Sequence, residues 1–400
     1  MIRRILQSNI EQSLQRFPAV GLIGARQVGK TTLAQMIAKN WPDAYLYLDL
    51  ERPTDYSTLS EPELFLSRHS KKLVIIDEIQ LRGELFPVIR SLIDMDRQPG
   101  RFLLLGSSNP DLIRQSGESL AGRITYHELS PFLLSELSKE QMDLLWLRGG
   151  FPESTIAESD ASSIQWRESF IMTYLQRDLS VLGYDTRLPA MTLRRLWQML
   201  AHSHGQLANL SQLATNLELS RQSIRKYLDI LQETFMIRQL QPFHTNVKKR
   251  LVKAPKIYLR DSGILHTLLG INTFDELMGH SVVGMSWEGF CMEQILNQIP
   301  RSWDAFFYRT QAKAEVDLVL QRRFGEAPIL LEFKHSQTPK LTKGFWSAQK
   351  DLQPRACYVI YPGITAYPLA ELVEAIPLTQ IKKIWESLLS HYKLNKNNWL

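Results

Sequence analysis

The segment GARQVGKT, residues 24–31, constrains this chain more than any other. It satisfies G-x-x-x-x-G-K-[ST] in full, and its flanks complete the unit. The apolar AVGLI before it reads as a short buried strand, and in TTLAQMIAKNW after it Leu33, Met36 and Ile37 recur at helical spacing. Such a strand–loop–helix aims backbone N–H groups and a helix N-terminus at one point, which suits a polyphosphate. Gly24, Ala25, Arg26, Gln27, Val28, Gly29, Lys30, Thr31 and Thr32 are the expected nucleotide contacts. Lys30 is placed to reach the β- and γ-phosphates and Thr31 to ligate Mg²⁺, so ATP and Mg²⁺ are the predicted cofactors.

KLVIIDEIQ, residues 72–80, supplies a second buried strand ending in Asp77 and Glu78. Asp77 stands where an α/β sheet presents its ligands and is expected to hold Mg²⁺ through water; Glu78 is the expected base for the attacking water. AYLYLDL (44–50) and RFLLLGSS (101–108) add two more strands, so a doubly wound parallel sheet is predicted. Ser107 and Ser108 end the last of these and are candidates to sense the γ-phosphate. In ESLAGRI (118–124), Arg123 is either an arginine finger for a neighbouring subunit or an ordinary surface arginine.

Four hundred residues exceed what one core usually serves. The net charge of +6 is compatible with a nucleic-acid partner and with many others. Two distant cysteines, Cys291 and Cys357, argue for a reducing compartment. MIRRILQSNIEQSLQ is too polar for a signal-peptide core, and no apolar run reaches the roughly 18 residues of a membrane span. The expectation is a cytoplasmic protein without membrane contact.

From about residue 155 to 240 amphipathic helical patterns replace strands. NLSQLATNLELSRQSIRKYLDILQETFMIRQL, residues 209–240, reads as a helix-turn-helix followed by a wing strand, with Ser220 as N-cap and Ile224, Leu228 and Leu231 as the buried face. Arg221, Gln222, Arg225 and Lys226 are left on the polar face as candidate DNA contacts; a protein–protein role is the alternative. Lys248, Lys249, Arg250, Lys253 and Lys256 follow in a basic link, where they either lie along a phosphate backbone or keep a linker solvated.

In the last part, SWEGFCMEQIL places Glu288 on a helix. AEVDLVL places Glu315 and Asp317 on one face of a strand, and ILLEFKHS places Glu332 and Lys334 on one face of its partner. Helix Glu, strand Asp, then Glu-x-Lys is the order of a PD-(D/E)xK nuclease site. Asp317 and Glu332, with Glu288 less firmly, are candidate Mg²⁺ ligands, and Lys334 is a candidate to orient the attacking water or offset phosphate charge. An exposed hairpin with solvated charges is the alternative.

GARQVGKTTLA, LVIIDEIQ, LLLGSSNPDLI, ESLAGRI, RGGFPES and YLQRDL together resemble a family of bacterial and archaeal AAA+ ATPases with a C-terminal domain similar to PD-(D/E)xK nucleases. The resemblance implies a P-loop AAA+ parallel-sheet domain (1–150), a helical lid (151–190), a winged-helix-like domain (191–245) and an α+β restriction-endonuclease-like domain (246–400). It implies an oligomeric ring, with a hexamer expected, and favours Arg123 as the finger. Arg148 and Arg177 are both candidates for a second sensor arginine. The function expected is an ATP-driven motor or remodeller of branched or structured DNA, with cleavage left open. The rivals are a regulatory switch with a non-cleaving binding module, and an ATPase acting on proteins.

Overall fold

The computed structural model describes residues 2–107, 120–175, 189–244, 251–300, 302–322 and 326–384. Ser108, Arg177, Lys248, Lys249 and Arg250 lie outside these residues. The chain forms two compact units. One comprises 1–138, 150–190 and 225–236, and the other comprises 139–149, 191–224 and 237–400.

The first unit is built on five parallel strands: β1 (Ala19–Ile23), β2 (Tyr45–Asp49), β3 (Leu73–Asp77), β4 (Phe102–Gly106) and β5 (Ile124–Glu128), in the order β2-β3-β4-β1-β5. β1, β3 and β4 are buried along their whole length, as strands covered on both faces must be. Helix Leu85–Met95 contributes Leu85, Phe86, Ile89, Leu92 and Ile93 to the core, beside Val74, Ile76 and Leu104. β5 goes unpredicted because ITYHE carries too few apolar residues to signal a buried strand, yet it pairs with β1 from Ala19 to Ile23.

The second unit is built on a nine-stranded mixed sheet. Its strands are β6 (Gln206–Leu207), β7 (Ile237–Pro242), β8 (Lys256–Leu259), β9 (Asp304–Arg309), β10 (Glu315–Gln321), β11 (Ile329–Phe333), β12 (Ala356–Tyr361), β13 (Tyr367–Ala370) and β14 (Val373–Pro377). They lie in the order β13-β14-β12-β11-β10-β9-β7-β8-β6. β10 and β11 form the expected antiparallel hairpin, but the alternation of exposed and buried faces does not hold. Both strands are buried on both faces, with Asp317 and Glu332 only 7% and 5% exposed. Two helices explain this. Phe345 and Ala348 of helix Lys343–Leu352 pack with Val316 and Leu330, while helix Val283–Leu296 packs on β11. A solvated charge pair on an open hairpin is thereby overturned.

Helices Leu210–Leu217 and Arg221–Glu233 form where the helix-turn-helix was expected, joined through Glu218 in the left-handed region (φ 55°). The Ser220 hydroxyl accepts the Ser223 N–H at 3.0 Å, and Ile224, Leu228 and Leu231 are buried. Among the described residues no helix is long and apolar enough to cross a membrane.

Glu293, on helix Val283–Leu296, joins the strands beneath it. Its carboxylate accepts from Arg238 of β7 and, at 3.0 Å, from Arg260 just after β8. Burial alone raises a carboxyl pKa, but the two guanidinium groups outweigh it and hold Glu293 at about 2. Glu293→Gln is expected to cost about 3–5 kcal/mol at neutral pH, because two arginines lose the charge that compensates them. Glu293 stabilises the fold fully above the unfolded carboxyl pKa of about 4.3 and loses that contribution as pH falls towards its folded value. Urea unfolding of both proteins should therefore show a gap at pH 7 that narrows between about pH 4.3 and the folded value.

Candidate active site

The phosphate loop follows β1 at the carboxyl edge of the parallel sheet. Gly24 (φ 152°) and Gly29 (φ 95°) adopt backbone angles that other residues rarely reach, and a side chain on Gly24 would strike the Leu129 carbonyl. Helix Lys30–Lys39 begins at Gly29 without a side-chain cap, the arrangement suited to an anion at its N-terminus. The loop is braced from beneath by Arg4, 6% exposed, which donates to the carbonyls of Val28 (3.0 Å) and Ser130 (2.6 Å) and to the Glu136 carboxylate (3.0 Å). Nothing in MIRRIL marks Arg4 for this role, since its partners are distant in sequence.

Lys30 is 5% exposed, and its ammonium donates to the loop's own carbonyls, Gly24 (3.0 Å) and Ala25 (2.9 Å). Burial pulls its pKa down, against the opposing pull of Glu78 and Asp77. Asp77, at the end of β3, is 3% exposed. Its Oδ2 accepts the Thr31 hydroxyl at 2.7 Å and the Tyr47 hydroxyl at 2.5 Å, and its Oδ1 accepts the Glu78 N–H at 3.0 Å. Burial first, and then Asp77 itself, push the Tyr47 phenol well above its ordinary range, so it stays a donor. Tyr47 is missed by motif reading because it comes from β2, whose register sets it opposite Ile75, two residues from Asp77.

Glu78 sits in the left-handed region (φ 54°), a conformation that costs a non-glycine residue about 1–3 kcal/mol and is held only where its surroundings insist. Those surroundings are Ser107, whose hydroxyl reaches both carboxylate oxygens (2.9 and 3.1 Å), and the Gln80 amide. Ser107, expected to face a phosphate, is thus turned onto Glu78. Arg26 pairs with Glu51 at 2.9 Å, while Gln27 and Thr32 are exposed around the loop. The donor set fits the cofactors: a carboxylate and a hydroxyl on adjacent elements are hard oxygen ligands for Mg²⁺, beside a glycine-shaped anion cradle.

Arg123 is far from this centre. Its carbonyl accepts the Ala19 N–H at 3.2 Å, at the amino edge of the sheet, whereas the loop lies beyond Ile23 at the carboxyl edge. The five residues from Ala19 to Gly24 span about 16 Å, too far for Arg123 to reach its own loop. Its guanidinium pairs bidentately with Asp94 (2.6 and 2.9 Å). Arg148 is buried at the end of helix Met142–Arg148, in the second unit.

In the second unit the structure brings Glu288, Asp317, Glu332 and Lys334 together. Lys334 donates to Glu332 Oε1 at 2.7 Å, the Phe333 N–H to Asp317 Oδ2 at 3.0 Å, and the Tyr258 hydroxyl to Glu288 Oε1. Glu332 Oε2 is buried without a hydrogen-bond partner. Burial, and then the Asp317 charge, raise the pKa of both Glu288 and Glu332. Lys256 fits neither of its expected places, along a phosphate backbone or in a solvated linker. It is 2% exposed on β8, with its ammonium 3.3 Å from Glu288, 3.2 Å from Glu315 and 3.9 Å from Asp317. The carboxylates are therefore arranged round an ammonium. Among the described residues no group of three or more His, Cys, Asp or Glu is set to hold a metal ion. The corner as it stands does not fit Mg²⁺.

Arg221, Gln222, Arg225 and Lys226 are all exposed on helix Arg221–Glu233.

Three family models match the chain: an AAA domain over residues 16–138, and two domains of unknown function, DUF8612 over 139–275 and DUF4143 over 283–381. A Walker-type ATPase of Pyrococcus abyssi superposes with a TM-score of 0.46 at 16% identity, covering 67% of this chain and 96% of its own, a likeness too loose to bear on function. An uncharacterized protein of Mycobacterium tuberculosis is 42% identical over 379 residues, spanning 95% of this chain and 84% of its own length. An uncharacterized protein of Mycobacterium bovis matches with the same figures. This chain, an AAA-type ATPase by its matched domain and its phosphate loop, belongs to one family with these two mycobacterial proteins.

Proposed function

We propose that the protein hydrolyses ATP in a ring of subunits, a hexamer, and uses the turnover to move along or remodel branched or otherwise structured DNA. The observation that carries the hydrolytic part is the shared carboxylate of Asp77, with Thr31 and Tyr47 on one oxygen and Glu78 held beside it by Ser107. On this reading the loop N–H groups and Lys30 hold the β- and γ-phosphates, and Lys30 exchanges its carbonyl partners for phosphate oxygens. Thr31 and Asp77 would hold Mg²⁺, which would supply positive charge to offset that of the phosphates. Glu78, released by Ser107, orients the attacking water and takes its proton. Arg123, out of reach of its own loop, serves a neighbour's site.

The DNA part is supported by the exposed face Arg221, Gln222, Arg225 and Lys226 and by the nuclease-like order of Glu288, Asp317, Glu332 and Lys334. Lys248, Lys249 and Arg250 belong to the same proposal on sequence grounds. A second reading, a regulatory ATPase whose C-terminal part binds without cleaving, is favoured by one observation, the Lys256 ammonium among those carboxylates.

An ATPase assay across single-stranded, duplex, forked and four-way DNA tests the leading reading. Turnover should rise most with forked or four-way DNA and fall steeply with salt; equal rates with and without every DNA would refute it. Lys30→Ala should abolish turnover. Arg123→Ala should lower it by about 10³–10⁵ with ATP still bound, the contribution of an arginine finger; unchanged turnover would remove Arg123 from the site. Tyr47→Phe keeps the ring and deletes a hydrogen bond to a charged carboxylate worth about 1.5–3 kcal/mol. The Mg²⁺ concentration for half-maximal turnover should rise by roughly tenfold or more, with nucleotide binding in EDTA unchanged. Equal Mg²⁺ requirements would show that Asp77 needs no help from β2.

A further inference from the structure

The acidic corner of the second unit differs from an open metal site in one respect, and that respect is built into the sheet. Lys256 lies on β8 with its backbone paired on both sides, opposite Leu207 of β6 and Leu240 of β7. Its ammonium stands over the Phe307 ring at 5.6 Å from the centroid. A lysine held by two strands and an aromatic face has little room to withdraw. Tyr258, two residues on and so on the same face of β8, fixes Glu288 by its hydroxyl. One strand outside the Glu-x-Lys motif thus supplies both a cation and a hydrogen-bond donor to the corner.

The ammonium and a divalent cation need the same oxygens. Mg²⁺ holds carboxylate oxygens at about 2.0–2.1 Å, whereas Lys256 already lies 3.3 Å from Glu288 and 3.9 Å from Asp317. A divalent ion among these carboxylates would therefore stand a few ångströms from a fixed positive charge. Lys334 does not make up the difference, because it lies on Glu332 Oε1 and leaves the buried Oε2 without a partner. Glu288 Oε1 and Asp317 Oδ2, by contrast, each accept a hydrogen bond.

We propose that Lys256 is the resident cation of this corner, and that its ammonium keeps a divalent ion off Glu288, Asp317 and Glu332. The inference concerns the nuclease-like part of the function proposed above.

The test measures Mn²⁺ binding by electron paramagnetic resonance on the full chain, free of nucleotide, with Asp77→Asn as the common background to silence the phosphate-loop site. Adding Lys256→Met should tighten Mn²⁺ binding by about tenfold or more, because a positive charge a few ångströms away is removed. Adding Asp317→Asn should abolish that gain. A folded Lys256→Met protein that binds Mn²⁺ no better than its parent would overturn the proposal. If Lys256→Met fails to fold alone, folding rescued by Mn²⁺ supports it, and where rescue fails the parent protein decides. Submillimolar Mn²⁺ binding by the parent, lost on Asp317→Asn, would show that Lys256 excludes nothing; binding only at millimolar Mn²⁺ agrees with exclusion. Cleavage of labelled forked DNA is read separately. A Lys256→Met protein that holds Mn²⁺ and cuts nothing sinks the nuclease reading and leaves the role of Lys256 standing.

Discussion

A charge taken out of water must be paired inside the protein, and that constraint organises both units. Arg4, Lys30, Lys256, Asp77, Glu288, Glu293, Asp317 and Glu332 are all buried. An isolated buried ion costs several kcal/mol even after relaxation, so each must be met by opposite charge, hydrogen bonds or a shifted pKa. Arg4 is met by carbonyls and Glu136, and Glu293 by two arginines. These pairings tie elements far apart in sequence. Arg4 fastens the amino-terminal segment to the phosphate loop, and Glu293 joins a helix to β7 and to the segment after β8. The sheets set the scaffold of each unit, and these contacts cross between elements that the sheet ladders do not join.

The phosphate-loop site was legible because its chemistry is local. Gly24, Lys30, Thr31, Asp77 and Glu78 each stand at the end of a strand or the start of a helix that its own neighbours predict. Tyr47 and Ser107 show where that reading stops. The sequence puts Ser107 at a strand end facing the phosphates, and the structure shows its hydroxyl on Glu78. Nothing in AYLYLDL distinguishes Tyr47, since only the β2–β3 register brings its hydroxyl to Asp77. Ser108 and Lys248–Arg250 lie outside the described residues.

The second unit is legible in outline from its sequence, but the burial of its hairpin is not. The strands, hairpin and helix form where the patterns place them; Lys334 pairs with Glu332, while Glu288 and Asp317 flank Lys256. The period-2 pattern of β10 and β11, however, describes which residues share a face and says nothing about whether that face meets water. Helix Val283–Leu296 and helix Lys343–Leu352 settle that, and neither is adjacent to the hairpin in a way a pattern reveals. For the same reason Lys256 read as a linker charge, since KAPK looks solvated until β8 is paired on both edges.

Lys30 and Lys256 make the contrast that separates the two sites. Both are lysines buried to within a few per cent of completely. Lys30 is held by two neutral carbonyls, and burial lowers its pKa; its charge is under-compensated, and a phosphate is a better partner than the one it has. Lys256 is opposed by burial too, but Glu288, Asp317 and Glu315 outweigh it and raise its pKa; no neutral or anionic ligand improves on that company. An anion arriving at Lys30 relieves a deficit, whereas a cation arriving at Lys256 must first break a buried ion pair, which is strongly destabilising when one partner goes unreplaced. The phosphate loop is thus poised to take up its ligand, and the acidic corner is closed on a cation of its own.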